Sequence, residues 1–193
     1  MRYSLTQVTP PAIEPVTLAE LKDHLRIDAG MEDSLLLGFI TTAREWCEGY
    51  QNRAYITQTW ELGLDEWPEI INMPLPLLQS TDLKIEYYGT DGVVHLLAAT
   101  EYQIDVRGYK GRITPAYGHH WPTLTLRPLS GIIVTFKAGY GAVVSDVPER
   151  IRTAVKLLAG HLYEHREATD IKEVREVAFA VKALLGLDRV GIA

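Results

Sequence analysis

Cysteine is nearly absent from this chain, which has only Cys47 among its 193 residues. A disulfide within the chain is therefore excluded, and we expect a small buried thiol in a reducing compartment. Long apolar runs are also missing, since no stretch approaches the roughly 20 residues that a membrane-spanning helix needs. Basic residues are not in excess either: the net charge is −6, whereas a protein that grips nucleic acid through its phosphates is expected to be basic.

Several motifs that accompany catalysis are absent from the sequence as well. It contains no glycine-rich phosphate loop, no nucleophile elbow and no cysteines in CxxC spacing. We therefore expect no cofactor and no resident metal. The composition is otherwise 47% hydrophobic and 23% charged, which is ordinary for a globular protein with a core of its own.

Helical periodicity marks both ends of the chain. The clearest helix spans 147–168, where apolar residues recur every three or four positions and Pro148 suits the first turn. A capping box formed by Thr17 and Glu20 starts a short helix that ends near residue 27. The same reasoning predicts helices over 32–51 and 170–187.

The middle of the chain alternates with a period of two and is rich in turn residues, which predicts a β region. The expected strands are 57–64, 83–88 and its hairpin partner 93–97, 102–106, 112–114, 124–126 and 132–136. Residues 1–16 contain three prolines and show no periodicity, so we expect an extended arm that is loose or lies on a neighbour. The fold class is therefore α+β. A small helical bundle from both chain ends (1–55 and 146–193) would hold an inserted antiparallel β domain (56–145).

One segment offers an enzymatic alternative. His161, Glu164 and His165 match the H-x-x-E-H pattern of inverted zincins, in which two histidines on one helix face hold zinc and the glutamate activates water. Such a site needs a third protein ligand, and only Glu167, Glu173 and Glu176 follow closely. A five-residue match without its structural context arises easily by chance, so a zinc-dependent hydrolase is the alternative rather than the main hypothesis.

A second segment is locally basic. Arg107, Tyr109, Lys110 and Arg112 form a loop that could touch phosphates or a partner if it lined a channel. A solvated hairpin tip is the simpler interpretation. A non-viral binding module built on the β region is a further possibility.

Three ordered segments resemble a known family. They are PVTLAELKDHLRI at 15–27, QTWEL at 58–62 followed by MPLPL at 73–77, and GYG at 139–141 followed by LYEHRE at 162–167. Together they resemble the head–tail connector, or neck adaptor, proteins of tailed bacteriophages, prophages and gene transfer particles.

The resemblance implies a structural virion protein and not an enzyme. Such proteins form a ring, usually twelve-fold, under the portal and join the head to the tail or a stopper protein. DNA passes through the hole without sequence-specific binding, and no membrane is involved. The location would be the virion neck, after assembly in the cytoplasm of the bacterial host. The C-terminal segment would contact the portal or a neighbour through Val174, Phe179, Val181, Leu184, Leu185 and Arg189. Truncation after about Ala168 would then abolish docking and leave the fold.

Overall fold

A computed structural model describes residues 3–27, 32–76, 78–165 and 171–190, with only the backbone given for residues 80 and 171–178. These residues form two compact units: Met1–Pro11 with Thr57–Gly139, called here the sheet unit, and Ala12–Ile56 with Tyr140–Ala193, called the helical unit. The helices are α1 (Leu18–Leu25), α2 (Asp33–Gln51), α3 (Glu149–Glu164) and α4 (Ile171–Gly186). The strands are β1 (Tyr3–Thr9), β2 (Gln58–Leu64), β3 (Ile71–Asn72), β4 (Leu78–Tyr88), β5 (Val94–Leu96), β6 (Tyr102–Asp105), β7 (Arg112–Pro115) and β8 (Ile132–Ala138).

The predicted capping box starts α1. The Thr17 hydroxyl accepts the Glu20 N–H at 3.2 Å, and the Glu20 carboxylate accepts the Thr17 N–H at 2.8 Å. Burial opposes ionisation of Glu20, but hydrogen bonds from the Thr17 N–H and the Thr17 hydroxyl, together with the Arg152 guanidinium, outweigh it and lower the pKa of this carboxyl. Arg152 also donates to the Pro15 carbonyl at 3.2 Å, so the cap ties α1 and the segment before it to α3.

Four helices share one apolar core in the helical unit. Helix α3 supplies Ile151, Ala154 and Val155 from its predicted stripe and also Ala159, and α4 supplies Val181 and Leu185. The helices from both chain ends therefore pack together, and the α+β class is confirmed. The rest of this buried cluster is Val16, Leu21, Leu36, Ile40, Ala43, Cys47, Tyr55, Ile56 and Val147.

The sheet unit contains two antiparallel sheets. The five-stranded sheet has the order β1-β2-β8-β4-β5, and the three-stranded sheet has the order β3-β7-β6. Along β8, Ile132, Val134, Phe136 and Ala138 are buried and alternate with more exposed residues. One face of the larger sheet is thus apolar and buried, as alternation predicts for an antiparallel sheet.

Two expectations for this region differ from the structure. The sequence places residues 1–11 in the helical part as an extended arm, but residues 3–9 form β1 and pair with β2 in the sheet unit. Alternation was too weak to reveal this, since nearly every β1 side chain is exposed. Residues 124–126 are not a strand, because Leu126 makes only a single bridge with Gly89.

Candidate interaction surfaces

Helix α4 packs on the helical unit through its last turns. Val181 and Leu185 are fully buried, and Leu184 is partly buried against the same cluster. Phe179 points the other way and is 76% exposed. The side chain of Val174 lies outside the described residues. Contact with another protein through Val181 or Leu185 would therefore require α4 to leave the core of its own chain.

The segment after α4 is held by hydrogen bonds from the end of α2. Gln51 is fully buried, and its Nε2 donates to the Leu185 carbonyl at 2.6 Å. The Val190 N–H donates to the Gln51 carbonyl at 3.0 Å, and Asn52 Nδ2 donates to the Val190 carbonyl at 2.9 Å. Residues 185–190 are thus part of the folded unit, so removing them would open the core.

This finding corrects the expectation for truncation. A chain cut after Ala168 would lose the buried side chains of Val181, Leu185 and Val190. Each deleted core side chain costs about 2–5 kcal/mol when it is as large as Leu, which is comparable in sum to the stability of a whole domain. The truncated chain should therefore lose its helical fold as well as any docking.

An aromatic pair, with Trp46 exposed and Tyr50 partly buried, lies on α2 next to α4. Trp46 and Tyr50 are four residues apart, and their rings stack at 5.5 Å between centroids with an interplanar angle of 1°. With Glu45, Gly49 and Lys182 they line an open depression of about 400 Å³. We call these five residues the α2–α4 groove. Helical spacing places Trp46 and Tyr50 in one stripe, but it does not show that this part of the stripe remains uncovered.

Arg189 completes the edge of this groove. Its Nε donates to the Tyr50 carbonyl at 3.1 Å, and its guanidinium lies 4.7 Å from the centre of the Tyr50 ring. Arg189 is exposed, as is Leu187 at 80%. A cation fixed on an aromatic ring beside exposed apolar side chains has the composition of an interface anchor.

The basic loop is organised around one carboxylate. Asp105 accepts hydrogen bonds from the Arg107 N–H at 3.0 Å, from Arg107 Nε at 3.1 Å and from Arg112 at 2.6 Å. Hydrogen bonds from Arg107, and next from Arg112, hold the pKa of Asp105 far below its usual range. Tyr109 is exposed and Lys110 is partly buried. The sequence predicted a basic loop, but it did not predict that Arg107 and Arg112 both donate hydrogen bonds to Asp105.

The H-x-x-E-H segment ends α3. The His161 and His165 rings lie 4.4 Å apart, and His165 Nδ1 is 3.2 Å from the His161 carbonyl of the preceding turn. Glu167, which was considered as a third ligand, falls outside the described residues. Across the part of the chain that is described, no three His, Cys, Asp or Glu side chains come together as a metal-binding group.

Membrane insertion was also considered. Within the described ranges, each helix falls short of the length and apolarity needed for crossing a bilayer.

Comparison with known proteins finds a family model that matches part of the chain. Residues 15–87 match the model described as "Phage gp6-like head-tail connector protein", and they include the first two of the three segments that carry the resemblance. No curated protein matches the chain in sequence.

Solved structures match along almost the whole chain. A chain from the virion of a native gene transfer agent (GTA) particle is 27% identical with a TM-score of 0.81, covering 98% of this chain and 96% of that one. A chain from the neck of an empty GTA particle, computed with C6 symmetry, is 26% identical with a TM-score of 0.78, and coverage is 98% and 97%. A chain from the neck of a native GTA particle, computed with C12 symmetry, is 25% identical with a TM-score of 0.74, and coverage is 100% and 97%.

These matches confirm the resemblance and the predicted class of virion neck proteins, since the similar chains are parts of a GTA virion and its neck. Over residues 15–87 the chain is thus similar to the Phage gp6-like head-tail connector family, and along almost its whole length it shares its fold with structural proteins of the GTA virion and its neck.

Proposed function

We propose that this chain is the subunit of a twelve-fold connector ring that lies under the portal and joins the head to the tail or a stopper protein. The observation that supports this most is the match along the whole chain to neck proteins of GTA particles, one of them computed with C12 symmetry. A ring of twelve copies also obeys C6 symmetry, so it is compatible with both neck structures.

DNA would pass through the hole of this ring without binding to it. The chain carries a net charge of −6, and an acidic wall repels phosphates over the Debye length of about 8–10 Å. Arg107, Tyr109, Lys110 and Arg112 would form a local exception to this charge. We propose that this loop touches the passing duplex or the tail-side partner, because Asp105 holds Arg107 and Arg112 in fixed positions.

The portal contact would use the exposed side of α4 and the α2–α4 groove. Phe179 and Leu187 offer apolar area, and Arg189 offers a cation that is already ordered on Tyr50. Exposed aromatic and arginine side chains contribute most of the affinity in typical interfaces. Among the predicted contact residues whose side chains the structure describes, Phe179 and Arg189 are exposed to a partner without any rearrangement.

Point variants test this assignment better than truncation does. Phe179→Ala combined with Leu187→Ala removes exposed side chains, so stability should change by less than about 0.5 kcal/mol per site. Electron microscopy of the protein mixed with its portal should then show bare portals. Tyr117→Ala, which removes an exposed aromatic ring of the sheet unit, is the matched control and should dock like the wild type. Normal docking by the double variant would contradict the proposed contact.

A further inference from the structure

The two outer strands of the five-stranded sheet have unpaired edges. Strands β1 and β5 end the order β1-β2-β8-β4-β5, and no other strand in the described residues pairs with their outer sides. Each edge presents a row of backbone N–H and C=O groups that can pair with a further strand. Both edges of the sheet could therefore pair with a strand from another molecule.

Natural sheets protect such edges with charge, proline, bulges or very short strands. Strand β5 is only three residues long and β1 has a register shift between Gln7 and Thr9, but neither strand carries charge or proline. Strand β1 has the sequence YSLTQVT and β5 has VHL, without a single Lys, Arg, Asp, Glu or Pro. Val94 and Leu96 are 49% and 62% exposed, and Tyr3 and Val8 are also exposed. Uncharged edges with exposed apolar side chains remain open to pairing with another strand, so we expect them to be covered in the assembly.

The register shows that the exposed apolar residues of β5 lie on the polar face of the sheet. Leu96 pairs with Glu86, which pairs with Ile133 of β8, and the partners continue through Gly63 of β2 to Ser4 of β1. Directly paired residues share a face, so Leu96 lies on the same face as Ser4. Residues Thr6, Glu61, Thr135, Lys84 and Val94 occupy that face as well. Val94 and Leu96 are therefore exposed apolar side chains at the margin of a largely polar face.

The strand directions suit a head-to-tail contact between copies. Every pairing in this sheet is antiparallel, so β1 and β5, which stand first and fifth in the order, run in the same direction. A rotation about an axis roughly along the strands brings β5 of one copy beside β1 of the next as a parallel pair. Repeating that rotation uses two different edges at every contact and closes into a ring, which is the heterologous type of interface.

We propose that β5 of each subunit pairs with β1 of its neighbour, so that the five-stranded sheets join laterally around the ring. The occupant of each edge is a second copy of this chain, because the two edges match in direction, in their lack of charge and in exposed apolar side chains. The inference rests on the proposed ring function and assigns its contact between neighbours.

Disulfide trapping tests the pairing directly. Ser4 or Thr6 on β1 is replaced by Cys together with Val94 or Leu96 on β5, which gives four double variants on one face of the sheet. The native Cys47 is fully buried, so it should not contribute cross-links. After oxidation at concentrations where the protein assembles, at least one double variant should give a ladder of covalent multimers, and the single variants should give none. A disulfide needs Cα atoms about 4.4–6.8 Å apart, so only adjacent strands will be trapped.

A charge swap provides the second test. Thr6→Lys lies opposite Glu61 on the neighbouring strand, so the monomer should keep its fold. Thr6→Lys combined with Val94→Lys places like charges together only when β1 meets β5, and ring formation should be lost. Thr6→Lys combined with Val94→Glu places opposite charges there and should restore it. Thr100→Lys, at an exposed turn, is the control and should assemble like the wild type.

The remaining outcomes separate this inference from the proposed function. Dimers from the Thr6→Cys single variant would mean that β1 pairs with another β1, which overturns the proposal. Wild-type rings in electron micrographs without a ladder from any of the four double variants would also overturn it, while leaving the connector function standing. A wild-type protein that forms no ring at any concentration and does not bind its portal would overturn both.

Discussion

Replacing Gln51 with Leu should separate the C-terminal segment from α2 at a measurable cost. In the folded chain Gln51 Nε2 donates to the Leu185 carbonyl at 2.6 Å, and its Oε1 accepts from the Tyr55 hydroxyl at 2.7 Å. Both Gln51 and Tyr55 are fully buried. The variant therefore leaves two groups without their partner, although the Asp188 N–H remains 3.4 Å from the Leu185 carbonyl.

The expected destabilisation follows from these contacts. A buried polar group left without a partner costs about 1–3 kcal/mol, so the free energy of unfolding should fall by about 2–4 kcal/mol. Tyr55→Phe alone should cost less, since it leaves only the Gln51 Oε1 unsatisfied. The double variant has neither group of that pair, so its destabilisation should be smaller than the sum of the two single costs.

Urea unfolding followed by circular dichroism at 222 nm is the suitable assay, because the described helices all belong to the helical unit. The coupling between the two sites should lie within about 0.5–3 kcal/mol, the range found for residues in one hydrogen-bond network. Strictly additive effects, or a Gln51→Leu variant as stable as the wild type, would refute the account of the C-terminal segment as a hydrogen-bonded part of the core.

Three further predictions follow from buried or paired charges. Burial, helped by the charge of a nearby glutamate, raises the pKa of Cys47 to about 12, so a thiol reagent at neutral pH should label it only as fast as the protein unfolds. In an NMR titration the pKa of Asp105 should lie below its unfolded value, and it should rise in the Arg112→Gln variant. The stabilisation from this ion pair is complete above the unfolded pKa of about 3.9. It is lost as the pH falls through the lower pKa of the folded state. Arg44 is buried and donates to Glu14 at 2.8 Å, so Arg44→Met should cost about 3 kcal/mol in denaturant unfolding, as breaking a buried ion pair does, and a loss under about 1 kcal/mol would contradict this.

Much of the helical unit could be predicted because its signals are local. The Thr17–Glu20 capping box lies within one turn, and it forms the two hydrogen bonds that its spacing implies. The predicted stripe of α3 repeats at the helical period, and Ile151, Ala154 and Val155 on it are buried, whereas Leu158 and Leu162 are only partly buried. At the start of α3 no side chain caps the helix, and the nearby Asp146 carboxylate accepts the Val143 N–H.

The sequence could predict which residues share one side of α4, but not which of them are available for contact with another protein. A repeat of 3.6 residues places Val181 and Leu185 on one side of α4, but it cannot say whether that side meets this chain or another. The structure decides this for the described residues: Val181 and Leu185 are core, whereas Phe179 is exposed. Trp46 and Tyr50 are the opposite case: they also lie on an apolar helical stripe, but α4 does not cover that part of the stripe.

Caps, periodicity and ordered motifs are all read from neighbouring positions, so the sequence was sufficient to predict the four helices, most of the strands and the resemblance to connector proteins. Only the tertiary structure decided that residues 3–9 form an outer strand, that Gln51 is buried against residue 185, and that two uncharged strands end the larger sheet. The physical reason is that strand order and hydrogen bonds between distant residues depend on which segments become neighbours. That choice is made by the burial of the whole chain, and no short stretch of it carries the information.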